Sequence, residues 1–208
     1  MIKTQQMRQR VILILLVFIS FSGTSAQRNL YYRRIFVDAE YYVLYEEYSD
    51  ALPLYQELYK AFPSNANLAY RIGLCYLNIP NEKSKSLPYF EKAIASITEN
   101  YNEGYFTETK APRDAYLHYG KALRILGQFD KAQKAFEIYK SSLKPNEITE
   151  LRIVGKELEA INNARYFMAN PLKHKITMVG RNITTRFPEI NPVLDSSGNT
   201  MVYTSVQR

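Results

Sequence analysis

Three short stretches share one spacing of small and apolar positions. ALPLYQEL runs from Ala51 to Leu58, SLPYFEKA from Ser86 to Ala93, and AQKAFEIY from Ala132 to Tyr139. Each opens on a small residue, sets an aromatic four positions later, and follows with another apolar or small residue three positions on. An i, i+4, i+7 pattern places the three side chains on one face of a helix. The small residue admits a neighbouring helix and the aromatic fills the space beside it. Such a helix cannot bury its apolar face alone, so recurrence predicts stacked helical pairs.

The rest of the N-terminal two-thirds fits that plan. From about Asn29 to Phe62 the pattern predicts two antiparallel helices, the first carrying Ile35, Phe36, Ala39, Tyr42 and Val43. A polar break at Glu46 to Asp50 precedes the second, which runs through Leu52, Tyr55, Leu58 and Tyr59. Phe62-Pro63-Ser64-Asn65 ends it, because Pro63 disfavours helix at the preceding residue and Ser and Asn favour turns and caps. A second pair follows, with Leu68, Ile72, Gly73 and Tyr76 on one helix and Leu87, Phe90, Ala93, Ile94 and Ile97 on the other. Gly73 lowers helix propensity there, which predicts a close helix–helix contact. Cys75, the single cysteine, has no intramolecular disulfide partner and reads as a buried small hydrophobe.

Ala51, Tyr55 and Pro63, then Gly73, Tyr76, Phe90 and Ala93, then Gly120, Phe129, Ala132 and Phe136 resemble tetratricopeptide repeats. That family repeats a small–aromatic–proline signature at about 34 residues. Ala51 and Ser86 lie 35 residues apart, and Ser86 and Ala132 46, so about a dozen residues are inserted in the second interval. Ser86 departs from the usual alanine, and Pro53 and Pro88 are expected early in their helices, where proline is tolerated. The match covers about Asn29 to Asn146, and the repeats are placed at residues 27–146.

The insertion, Asn100 to Pro112, carries Tyr101, Tyr105 and Phe106 among polar residues and Gly104. Two readings are open: the aromatics bind a partner, or they fold back over the adjacent helices. After Pro145, the spacing of Ile148, Leu151, Val154, Leu158 and Ile161 predicts a further amphipathic helix over residues 147–169, capping the stack. Beyond Asn170-Pro171 the pattern turns to strand. Lys175 to Val179 and Thr200 to Ser205 are β-prone, Pro188 and Pro192 bracket an extended piece, and Asp195 to Asn199 is a turn cluster. Asn182, Pro192-Val193, Asp195 and Gly198, and Thr204-Ser205 with Arg208 resemble the opening of a WD40-like, TolB-type β-propeller repeat, placed at residues 170–208. A blade needs four strands, so the expectation is that the 208 residues are the N-terminal part of a longer protein or a truncated product of its gene. The expected fold is mainly α, a tetratricopeptide-like solenoid with a capping helix, then a short β segment.

Lys3, Arg8 and Arg10, the apolar run Val11 to Ile19, and Thr24-Ser25-Ala26 have the layout of a secretory signal peptide over residues 1–26. The run is short for a membrane span, so no integral span is expected after cleavage, the alternative reading being an uncleaved N-terminal anchor. Cleavage would remove three basic groups and no acidic ones, taking the formal charge from +7 to +4. That surplus is dispersed, which gives no support to nucleic-acid binding.

Catalytic signatures are missing from the sequence. His118 and His174 lie far apart, and neither a zinc ligand set, a P-loop, a nucleophile elbow nor a dinucleotide fingerprint occurs. No catalytic residue, cofactor or metal is expected. The positions that would line a groove are Arg33, Phe36 and Glu40, then Asn67, Tyr70 and Leu74, then Asp114, Leu117, Lys121 and Arg124. This mixed, partly aromatic surface suits an extended peptide or a protein domain better than a charged chain terminus. Phe36, Tyr70, Leu117 and Arg124, with Tyr101, Tyr105 and Phe106 of the insertion, are the expected partner-binding residues.

Exported tetratricopeptide repeats followed by a WD40-like blade resemble Gram-negative envelope proteins that continue to an OmpA-like peptidoglycan-binding domain, some serving type IX secretion and gliding motility. The resemblance implies a non-enzymatic periplasmic scaffold, possible association with the outer membrane, and other envelope proteins as partners. Peptidoglycan binding is expected only if a further C-terminal domain exists. The competing expectation is a ligand-sensing module whose propeller recognises a peptide or glycan.

Overall fold

The computed structural model describes residues 27–171 and 189–205, with residues 180 and 183. The signal-peptide expectation at 1–26 and the strand expected at Lys175 to Val179 lie outside the described residues. Seven helices and two short two-stranded sheets are formed among those described. The helices are α1 (27–44), α2 (Tyr48–Ala61), α3 (Ala66–Asn78), α4 (Leu87–Ile94), α5 (Asp114–Ile125), α6 (Phe129–Ser141) and α7 (Ile148–Ala169). The strands are β1 (Ile97–Thr98), β2 (Ala111–Pro112), β3 (Glu189–Leu194) and β4 (Met201–Ser205).

Local chemistry sets the helix ends. Asn65 caps α3, its Oδ1 accepting from the Leu68 amide at 2.9 Å, while the Phe62 amide closes α2 on the Leu58 carbonyl. Helix α2 begins at Tyr48, earlier than the polar break suggested. Pro53 therefore falls in the second turn, inside the helix and not at its start. Pro88 sits in the first turn of α4 as expected, behind a 3-10 turn at Lys83–Ser86. The missing amide of Pro88 leaves no donor for the Ser84 carbonyl, which accounts for the tighter turn there.

All nine positions of the repeated pattern are at most 1 % exposed: Ala51, Tyr55, Leu58; Ser86, Phe90, Ala93; Ala132, Phe136, Tyr139. They anchor three successive clusters. Phe36, Ala39, Leu68, Ile72 and Cys75 join the first, Ala69, Tyr70, Ala115 and Ala122 the second, and Leu123, Val154 and Ile161 the third. Core burial runs from one helical pair to the next, as expected of a solenoid in which each pair touches its neighbours. Val154 and Ile161 are fully buried on α7 and close the third cluster, so α7 caps the stack. Three ion pairs fasten that end: Arg124 to Glu157 at 2.9 Å, Arg165 to Asp130 at 2.6 Å, and Arg113 to Glu147.

The chain divides into two units, Met1–Arg165 and Tyr166–Arg208. In the second, β3 and β4 pair antiparallel, with an irregularity between Ile190 and Val193 where Asn191 has a φ of +54° and Pro192 follows. The Asp195 carboxylate closes the turn, accepting from the amides of Asn199 (3.0 Å) and Thr200 (3.1 Å). This is a hairpin, and a propeller is not formed among the described residues.

Candidate functional site

The insertion leaves and rejoins the stack at one point, since Ile97 and Ala111 are register partners in the parallel β1–β2 pair. Between them the chain forms a compact loop organised on Glu108. Its carboxylate accepts from the amides of Asn102 (3.2 Å), Thr109 (3.0 Å) and Lys110 (3.0 Å). Burial alone would raise the Glu108 pKa, but these hydrogen bonds outweigh it and hold the group below its ordinary value. Gly104 turns the tip with a φ of +75°, a conformation that costs glycine little.

The loop folds onto the first helices of the first two pairs. The Thr109 carbonyl accepts from the Ala66 and Asn67 amides at 2.9 and 3.2 Å, occupying donors at the start of α3. Tyr101 donates to Asn67 Oδ1 at 2.7 Å, and burial pushes its hydroxyl up to about 12. The Phe106 ring packs edge-on to Phe36 (5.9 Å) and Phe62 (6.0 Å). Tyr105 alone of the three aromatics points to solvent, 65 % exposed. Thus Tyr101 and Phe106 fold back, and Tyr105 is exposed.

Two open cavities flank Phe106. One, about 690 Å³, lies among Arg28, Asn29, Tyr32, Phe62, Asn65 and Phe106. The other, about 730 Å³, lies among Leu30, Arg33, Val37, Gly104, Tyr105 and Phe106. Asn29, Phe106 and Thr107 belong to both, so Asn29 of α1 and the Phe106 segment together form the partition between them. Arg28 and Arg33 line these walls, and no acidic side chain does. Leu30, Val37, Tyr41 and Leu44 continue an exposed apolar strip along α1.

Beneath the loop lies a buried polar cluster. Arg71 is the sole charged residue of α3, and it is buried. Its Nη2 is 2.9 Å from Glu40 Oε2 but out of line for a hydrogen bond, and its Nε finds no partner among the described residues. Glu40 also accepts from the Tyr55 hydroxyl, whose pKa burial drives strongly upward. Neighbouring Cys75 is fully buried, and burial pushes its thiol up to about 12, which keeps it protonated and unreactive. Sequence reasoning missed this cluster, although a lone arginine in an otherwise uncharged helix was a signal for it.

The other expected partner-binding residues are scattered. Phe36, Tyr70 and Leu117 are buried, their side chains taken up by packing: Phe36 in the first cluster, Tyr70 beside Phe90, Leu117 against α6 and α7 residues. Arg124 is engaged by Glu157 of α7. Of the expected residues, Phe36 and Phe106 are in direct contact, Tyr101 is held by Asn67 of α3, and Tyr105 is exposed. The residues that sequence reasoning missed are Leu30, Val37 and Arg28 of α1, which line the two cavities beside the insertion. Among the described residues, no group of three His, Cys, Asp or Glu is placed to hold a metal, and no helix is long and apolar enough to cross a membrane.

No protein-family model matches the sequence, and no curated protein matches it. Solved structures do resemble the fold. The type III secretion translocator chaperone SycD of Yersinia enterocolitica superposes with a TM-score of 0.51 at 15 % identity, over 64 % of this chain and 84 % of that one. PcrH in complex with the chaperone binding region of PopD gives 0.50 at 16 % identity, over 64 % and 91 %. The first tetratricopeptide domain of Spaghetti (RPAP3), bound to an HSP90 peptide, gives 0.48 at 21 % identity, over 64 % and 90 %. The chain is a mainly helical protein with a tetratricopeptide-like fold.

Proposed function

We propose that this protein is a non-enzymatic scaffold that binds extended segments of other proteins. One observation carries the reading: a trough beside α1, apolar at Leu30, Val37 and Tyr105 and basic at Arg28 and Arg33, stays open on a helical-pair stack. Pockets of this size, with apolar, polar and basic groups on their walls, are suited to side chains of a peptide. PcrH, a structure of similar fold, is held with the binding region of another protein.

We place the protein in the periplasm of a Gram-negative envelope, associated with the outer membrane and with an assembly such as type IX secretion. The support is the signal-peptide-like layout of residues 1–26 and the WD40-like resemblance of Gly180 to Arg208. Full-length wild-type and Val37→Glu baits test the binding reading in envelope extracts. A partner held by the wild type and lost from the variant supports it. Capture of nothing, or equal capture by both, overturns it. Fractionation of cells tests the location, with recovery in the cytoplasm as the contrary result.

A further inference from the structure

We propose that the loop of residues 99–110 is an internal ligand of the trough. It identifies the partner as an acidic segment with a tight turn between two aromatic side chains five positions apart, which takes the loop's place. The inference rests on the scaffold reading and adds the partner's chemistry to it.

Three observations carry it. First, the loop occupies groove positions instead of standing clear of them. Tyr101 takes the Asn67 side chain on α3, and Phe106 takes the space between Phe36 of α1 and Phe62 after α2. Tyr101 and Phe106 are five residues apart, and the chain between them runs through a tight turn and Gly104. Second, charge is complementary. The loop carries Glu99, Glu103 and Glu108 against the single Lys110, while the trough walls carry Arg28 and Arg33 and no acid. Third, the trough is divided by this segment where it meets Asn29 of α1. Phe106 and Thr107 form the loop's share of the wall between the cavities of about 690 and 730 Å³, so withdrawing them opens one to the other across Asn29. An aromatic from outside would then enter the socket that Phe106 vacates, beside the exposed Leu30 and Val37.

The loop can leave without unthreading the fold. Its two ends meet at the Ile97–Ala111 pair, and its hydrogen bonds centre on its own Glu108. Among the described residues, what ties it to the helices is the Phe106 socket, the Tyr101 bond and the Thr109 and Glu108 carbonyls.

The test uses a synthetic peptide of residues 99–110 as the probe, with a scrambled peptide as control. The full chain is compared with a variant in which residues 99–110 are replaced by a short glycine–serine link across the adjoining ends. The peptide is expected to bind the loop-less variant saturably, and the wild type at least about tenfold more weakly, because the competent state of the wild type is only fractionally populated. Arg33→Glu in the loop-less variant is expected to weaken binding several-fold. Should the loop-less chain fail to fold, Phe106→Ala in the intact chain empties the socket and is expected to bind the peptide more tightly than the wild type does. A folded variant that binds the peptide no better than the scrambled control, or a wild type that binds it equally well, overturns the inference. If that happens while Val37-dependent capture of an envelope partner persists, the internal-ligand inference falls and the scaffold reading stands. Loss of both results removes both.

Discussion

A Cβ on Gly120 would lie 2.5 Å from a ring carbon of Phe136, and one on Gly73 2.8 Å from Phe90. Each glycine belongs to the first helix of a pair and each phenylalanine to the second. The glycine removes the atom that would hold the two helices apart. In the first pair Ala39 stands 34 residues before Gly73, fully buried in the cluster that contains Tyr55. Glycine to alanine inside a helix ordinarily stabilises by about 1 kcal/mol. At Gly120 and Gly73 the ring would have to shift, so Gly120→Ala and Gly73→Ala are expected to destabilise by about 1–3 kcal/mol. Gly155 of α7 has open space around it, and Gly155→Ala is expected to stabilise by about 0.5–1 kcal/mol. Urea unfolding of the three variants decides this. Stabilisation at all three positions would show that the helix–helix contact is not tight.

The turn between the first two helices repeats a design found in the third pair. Glu46 has a φ of +60°, and the amide of Glu47 reaches back to the Tyr42 carbonyl at 2.9 Å. Gly127, 81 residues later, has a φ of +72°, and the Gln128 amide reaches the Leu123 carbonyl at 2.9 Å. Both are left-handed helix endings, where glycine carries no side-chain penalty. Glu46→Gly is therefore expected to raise stability by about 0.5–1 kcal/mol, and Gly127→Ala to lower it by about 1 kcal/mol. Thermal melts of the pair would read opposite shifts. A loss in Glu46→Gly would point to a role for its side chain.

These two devices differ in how far the sequence revealed them. The buried positions of the repeat were legible because the i, i+4, i+7 spacing is local, and all nine side chains are buried. The close contact at Gly73 was legible for the same reason, since a glycine in a helical pattern asks for a packing cause. The groove was less legible. A helical wheel places Phe36 on the first helix's inner side but cannot say that Phe106, 70 residues later, will lie against it. Nor does it say that Arg124 will be claimed by Glu157 from the capping helix. Those contacts depend on the path of a loop and on the docking of α7, both non-local. Glu40 and Arg71 were visible as charges, but their meeting depends on the stacking of two pairs.

That pair gives the next expectation. Arg71 is buried and Glu40 is its carboxylate counterion, with Tyr55 donating to the same carboxylate. Glu40→Ala leaves the guanidinium inside without compensation and is expected to cost about 3–5 kcal/mol. Tyr55→Phe keeps the ring and loses one hydrogen bond to a charged group, an expected loss of about 1.5–3 kcal/mol. The double variant Glu40→Met, Arg71→Met is expected to regain most of the loss, because it removes both desolvation penalties together. Equal destabilisation by the single and double variants would instead assign the cluster a packing role.

His118 supplies a pH signature. Its ring is stacked on Phe90 at an interplanar angle of 15° and a centroid distance of 6.2 Å, with Tyr70 at 5.9 Å. Burial, and secondarily the Lys121 charge, push its pKa down from 6.5 to about 3. The folded protein thus resists a proton that the unfolded chain accepts near neutrality. The unfolded state binds more protons throughout that interval, so stability is whole above the unfolded value and falls as pH drops toward the folded one. By pH 5 the loss is at most about 2 kcal/mol, reduced where the ring edge meets solvent. Glu108, Glu147 and Asp195 have pKa values lowered from 4.5, 4.5 and 3.8, so their contributions disappear only at lower pH. His118→Phe keeps the stack without the titration. Its Tm is expected to change less than that of the wild type between pH 7 and pH 5. Parallel losses in the two proteins would mean that His118 titrates as it does in an unfolded chain.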